Sequence, residues 1–368
     1  MPIDSRRCRA ALLALVVTGL AAAAAAETRV LNVYNWSDYI AEDTVKAFSA
    51  ETGIQVNYDV YDSNEVLETK LIAGHSGYDI VVPTASPFMA RQIQAGLLQK
   101  LDKTQLPDWD NLDPEILERL ARYDPGNQYA VPWMWGTVGI GYNVDQIARR
   151  MPEAPVDSLA IVFDPAIVAH FKDCGVELLD SPTDIFPAVL KFLGLDPDSQ
   201  SAADLDRATA QLQQVRGAVR KFHSSEYIND LANGNACLAF GYSGDIFQAA
   251  ARAQEAGRTV KVAYAIPREG ALFWVDGMVI PADARDVAEA HRFLDFLMRP
   301  AVVAETTNRL GYANGNLASL PLIDAAIRDD PTVYPPEAVR AGFYTLSVSS
   351  RAYDRLRTRA WTRIKTGH

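Results

Sequence analysis

Histidine, cysteine and basic charge are scarce in this sequence, and each scarcity removes a class of function. The five histidines stand at 75, 170, 223, 291 and 368, with none of the short spacings that gather a metal site. Lysine and arginine number 35 against 46 aspartates and glutamates, a formal net charge of −11. Such a chain has nothing with which to neutralise phosphates, so a nucleic-acid partner is excluded. No G-x-G-x-x-G stands between a strand and a helix, and no dinucleotide cofactor is expected. Gly74-His75-Ser76-Gly77 lacks the spacing of the G-x-S-x-G nucleophile elbow.

Of the three cysteines, Cys8 falls in a leader-like start: Arg6, Arg7 and Arg9, an apolar run from Ala10 to Leu20, then Ala21 to Ala26. That order predicts a cleavable signal peptide over residues 1–26; the alternative, an uncleaved anchor, is disfavoured by the short apolar run. Its removal takes away three arginines and one aspartate and moves the charge from −11 to −13. Cys174 and Cys237 remain, and an even pair in an exported chain reads as one disulfide.

What is present is a repeated local arrangement. A short apolar strand from Val30 to Tyr34 runs into Trp36-Ser37-Asp38-Tyr39, and a helical pattern begins near Asp43. Ile54–Val60 reads as a second strand, Ser63–Ala73 as a helix with Val66, Leu67, Leu71 and Ile72 inward, and Tyr78–Pro83 as a buried strand. Short loops between strands and helices predict a mainly parallel sheet with ligands at the carboxyl ends of its strands. Residues 101–127 read as surface turns, and 129–143 as extended chain passing into a second lobe. There, a helix is expected to start at Ser181-Pro182, another to run from Ala203 to Val219, and strand Ala236–Phe240 to exit through Gly241-Tyr242-Ser243-Gly244-Asp245.

The aromatics Trp36, Tyr39, Tyr242, Trp274 and Tyr312 fall at strand exits or turns, as do Asp38, Asp184, Asp245 and Asp276. Rings that cover methylenes and carboxylates that pair with ammonium groups make a site for an organic cation. Each residue alone is explained as readily by core packing or helix capping. A hydrolase using paired carboxylates is the competing enzyme reading, but no sequence spacing demonstrates their separation.

The motifs Tyr34-Asn35-Trp36-Ser37-Asp38-Tyr39-Ile40, Tyr61-Asp62-Ser63-Asn64-Glu65-Val66-Leu67, Phe222-His223-Ser224-Ser225-Glu226-Tyr227-Ile228-Asn229-Asp230-Leu231-Ala232-Asn233-Gly234 and Thr358-Arg359-Ala360-Trp361-Thr362 resemble the bacterial periplasmic polyamine-binding proteins. The resemblance covers nearly all of residues 30–367 and is closest to the putrescine-binding component of an ABC importer. It implies an α/β, two-lobe periplasmic binding protein (type II) with the ligand cleft between lobes. Lobe 1 would comprise 27–134 and about 256–308, and lobe 2 about 135–255 and 309–368. It implies Trp36, Tyr39, Tyr242, Trp274 and Tyr312 as an aromatic box, Ser37, Asp38, Asp184, Asp245 and Asp276 as polar and acidic contacts, and Thr84 or Ser86 as a hydroxyl contact. It also implies a monomeric, periplasmic, non-catalytic receptor without cofactor or metal, serving an inner-membrane permease. Three positions depart from the family pattern: Asp184 where Glu is expected, Tyr242 where Trp is usual, and Trp274 where Phe is common. They leave putrescine, spermidine and cadaverine open as ligands, and a polyamine sensor open as the role.

Overall fold

A computed structural model describes residues 29–366; the expected signal peptide lies outside the described residues. The described residues form ten strands. β1 (Val30–Trp36), β2 (Gln55–Tyr61) and β3 (Ile80–Val81) alternate with helices Glu42–Thr52 and Asn64–Ala73. β4 (Ala130–Asn143) is a single run of 14 residues. β5 (Val176–Leu178), β6 (Val219–Phe222) and β7 (Leu238–Tyr242) follow, then β8 (Val262–Ala265), β9 (Phe273–Val279) and β10 (Ala313–Asn314).

Helix Asn64–Ala73 shows how local chemistry sets these elements. Ser63 caps it by accepting from the Val66 N–H at 3.2 Å, and Gly74, at φ 71°, ends it. Of its apolar side chains only Leu67 and Leu71 are buried; Val66 and Ile72, expected inside, are 48 % and 66 % exposed. The helix lies at the molecule's rim, where a narrow apolar stripe suffices.

The expectation of a mainly parallel sheet is corrected. Parallel pairing is confined to β2-β1-β3 and β6-β5-β7. Every partner of β4 runs antiparallel to it, and so does β9 to β3. The first half of β4 pairs with β9 and β10, the second half with β7 and β8.

Other local readings shift as well. The helix expected to reach Val219 stops at Val215, and β6 follows it. The stretch 101–127 is not only turns, for it holds the short helices Lys103–Gln105, Pro107–Asn111 and Pro114–Leu120. Cys174 and Cys237 are joined by a disulfide.

The core runs through both strand groups. Trp133, 2 % exposed, lies in it and donates from Nε1 to the Tyr39 carbonyl at 3.2 Å. Trp135 donates likewise to the Asn314 carbonyl at 3.0 Å. Two indoles of the crossing strand thus anchor loops that come from opposite ends of the sequence.

Candidate functional site

The loop after β1 is fixed at its aromatic side chains. Trp36 Nε1 donates to the Val82 carbonyl at 2.8 Å, and the Tyr61 hydroxyl donates to the same oxygen at 2.5 Å. The two rings are 4.7 Å apart. The Ser37 N–H donates to the Tyr61 carbonyl at 3.0 Å, and Tyr39 turns inward, donating from its hydroxyl to Asp276 Oδ2 at 2.8 Å.

Asp276 sits mid-strand on β9, where its backbone bridges to Thr84, whose hydroxyl accepts from Asn64 Nδ2 at 3.0 Å. The other Asp276 oxygen, Oδ1, is buried with no partner among the described residues. Burial pushes the Asp276 carboxyl up to about 7, against the opposing pull of the Thr84 and Tyr39 hydroxyls.

Two residues earlier on β9, Trp274 faces Gly136 across the strand pair. A Cβ at 136 would come 2.8 Å from the indole ring, so glycine is what admits so wide a side chain here. Tyr242 and Tyr312 meet that indole edge-on, at 6.1 and 5.5 Å, and Tyr39 packs edge-on against Tyr312 at 5.1 Å.

The opposite wall comes from β5 and β7. Asp184 lies in the first turn of helix Pro182–Phe192, whose cap Ser181 accepts from the Asp184 N–H. Its Oδ2 accepts from the Tyr242 hydroxyl at 2.9 Å, and burial raises its pKa. Asp245, in the first turn of helix Ser243–Glu255, accepts from two phenols, Tyr312 at 2.5 Å and Tyr227 at 2.6 Å. Burial nevertheless raises its pKa to about 6. The Ser86 hydroxyl donates to the Leu346 carbonyl and joins the tail segment to the same rim.

These groups line one cleft of about 790 Å³, counted together with the open solvent at its mouth. Eleven of the twelve expected residues line it: Trp36, Ser37, Tyr39, Thr84, Ser86, Asp184, Tyr242, Asp245, Trp274, Asp276 and Tyr312. Asp38 does not. Its backbone is left-handed at φ 53°, and its side chain, 47 % exposed, turns away to pair with Arg252 at 3.1 Å. Sequence reasoning passed over Tyr61, Asp62, Asn64, Ser224 and Ser225, which also line the cleft and stand inside the motifs quoted above. Phe88 and Leu346 carry no local signal of a site.

The charge of the lining is one-sided. Asp62, Asp184, Asp245 and Asp276 contribute carboxyls, and among the described residues no lysine, arginine or histidine lines the cleft. Buried acids raised toward neutrality gain most from a guest that brings positive charge with it.

Known proteins similar to this chain are named for guests of that kind. The family model described as bacterial extracellular solute-binding protein matches residues 43–335. The chain is 51 % identical to the putrescine-binding periplasmic protein PotF of Escherichia coli, over 97 % of this chain and 96 % of that one. It is 52 % identical to the putrescine-binding periplasmic protein SpuD of Pseudomonas aeruginosa, over 97 % and 98 %. Among solved structures, a putative spermidine/putrescine ABC transporter from Listeria monocytogenes superposes with a TM-score of 0.83 at 28 % identity, covering 92 % of this chain and all of that one.

Proposed function

The chain belongs to the bacterial extracellular solute-binding proteins, in their periplasmic polyamine-binding branch, and we propose that it captures putrescine or a close relative and delivers it to an ABC-type import permease. The observation that carries this reading is the cleft itself: four carboxyls, no basic side chain among the described residues, and walls of indole and phenol rings. Asp245 and Asp276 take the two ammonium groups, because a desolvated cation needs a charged partner at each end. Trp36, Tyr39, Tyr242, Trp274 and Tyr312 cover the methylenes between them. Ser37, Thr84 and Ser86 supply hydroxyls at the rim, and Asp184 reaches the guest through water.

The polypeptide groups held to the two halves of β4 act as the lobes, with the guest between them. Ligand favours the closed arrangement because its contacts come from both sides. Binding without turnover, export to the periplasm by the leader and a monomeric state are part of the same proposal. The relatives' printed names support binding and a periplasmic location.

Calorimetric titration with putrescine, cadaverine and spermidine tests it. One-to-one binding with putrescine tightest is the expected result; heats of dilution alone for all three amines would end the receptor reading, whereas tighter spermidine binding would change only the choice of ligand.

Binding is also expected to depend on pH. In the ligand-free protein Asp276 and Asp245 titrate near 7 and 6, and a bound ammonium favours their ionised forms. Each must lose its proton to bind, so affinity rises with pH and levels off above about 7.5. The loss approaches roughly tenfold per pH unit for each carboxyl once pH is about a unit below its pKa, near 6 for Asp276 and near 5 for Asp245. Titrations at pH 6.5 in two buffers of different ionisation heat should show protons released on binding. An affinity flat from pH 5.5 to 8 contradicts the assignment of the two acids.

A further inference from the structure

Tyr227 lies in helix Tyr227–Asn233, is 1 % exposed, and does not line the cleft. Its hydroxyl nevertheless holds two walls of it. It donates to Asp245 Oδ2 at 2.6 Å and accepts from the Tyr242 N–H at 3.0 Å. Tyr312 repeats the arrangement on the other oxygen: its hydroxyl donates to Oδ1 at 2.5 Å and accepts from the Asp245 N–H at 3.1 Å.

The two N–H groups belong to the cap and first turn of helix Ser243–Glu255, where backbone donors have no carbonyl of their own helix to bond. Each phenol takes one of these donors and passes a hydrogen bond on to the carboxylate, and linked bonds of this kind strengthen one another. Burial and the adjacent carboxylate push both phenols well above their ordinary range, so both remain donors at neutral pH.

The placement is exacting. Gly241, directly before Tyr242, would bring a Cβ to 2.6 Å from the Tyr227 ring, so the ring rests on bare backbone. The charged groups nearest Asp245 beyond the phenols are Asp38 and Arg252, which act in opposite directions and are paired with each other.

We propose that Tyr227 is a positioning residue for cation capture, acting through Asp245: it relays a backbone donor of the helix N-terminus to the carboxylate and so keeps Asp245 charged and in one rotamer. The inference rests on the polyamine reading, and it separates the two acids. Asp245 has a phenol on each oxygen, whereas among the described residues Asp276 has a phenol on one oxygen only.

Tyr227→Phe keeps the ring and its seat and removes only the hydroxyl. Putrescine affinity, measured by calorimetry, should fall about tenfold at pH 8, the size expected for one hydrogen bond to a charged group, and by a larger factor at pH 6, where the unsupported carboxyl protonates. Unchanged affinity, or a loss of equal factor at both pH values, overturns the proposal. Tyr264→Phe, which removes a buried phenol bonded to Thr137 instead of a carboxylate, should show no such pH-dependent loss.

A second measurement needs no ligand. Carbon-13 titration of the aspartate carboxyls in the wild type, assigned by loss of the Asp276 signal in Asp276→Asn, should place Asp245 below Asp276. The reverse order overturns the relay. Wild-type protein that binds no polyamine while showing the expected order rejects the receptor reading and leaves the relay standing.

Discussion

Replacing Asp276 by asparagine is expected to cost about 2–5 kcal/mol of putrescine affinity, the usual penalty for removing one partner of a buried charge pair, while raising the melting temperature of the ligand-free protein at pH 8. Both effects have one cause. The side chain is 4 % exposed, Tyr39 bonds one oxygen, and the other is unpartnered. In the proposed complex that oxygen faces an ammonium; without ligand, a charge is buried uncompensated. The folded pKa of about 7 lies above the value near 3.9 of an unfolded aspartate. The folding penalty is therefore absent below the unfolded value, grows as pH rises between the two, and is complete above about 7. Asparagine relieves it at pH 8 and hardly changes stability near pH 4, and its carbonyl still accepts from Tyr39. Melting curves at both pH values with a titration at pH 8 decide the matter. A variant that binds like wild type removes Asp276 from the ligand contacts, and one that melts lower at pH 8 shows that the carboxylate stabilises the empty protein.

Losing the disulfide should be as costly to folding as losing Asp276 is to binding. Cys174 and Cys237 are 63 residues apart, and closing a loop of that length stabilises by roughly 4 kcal/mol in the chain-entropy model. The segment between them holds β5, β6 and the helices that carry Asp184 and Tyr227. Cys174→Ala with Cys237→Ala avoids leaving buried hydroxyls at sites that are 6 % and 0 % exposed. Urea unfolding should show the midpoint lowered by an amount equivalent to several kcal/mol, with polyamine affinity weakened only as the fold loosens. An unchanged midpoint would mean that the crosslink contributes little beyond the packing around it.

The candidate site was legible where its residues sit next to a strand end. Trp36, Tyr242 and Asp245 stand at or just after strand ends, and the alternation of apolar runs with polar aromatic loops marks such positions in the sequence. Asp38 was misplaced because its direction depends on a left-handed backbone and on Arg252, more than two hundred residues later. Tyr227 was invisible for a different reason: it lies within a helix and acts through Asp245, 18 residues on. The direction of β4 was equally hidden, since an extended apolar pattern reads the same for parallel and antiparallel neighbours. Val66 and Ile72 fit a helical stripe, and only the position of their helix at the rim decides that they face water.

β4 also determines how the molecule can be divided. Because residues 130–137 and 138–143 of one strand serve as neighbours to different strand groups, the two halves are not interchangeable modules. A backbone cut inside that strand removes a hydrogen-bonded edge from both at once. A hybrid that takes one half from a relative must therefore inherit the whole strand, with its Gly136 opposite whatever ring occupies position 274. Exchange of ligand preference between family members by swapping halves is constrained at that one stretch more than at any residue touching the guest.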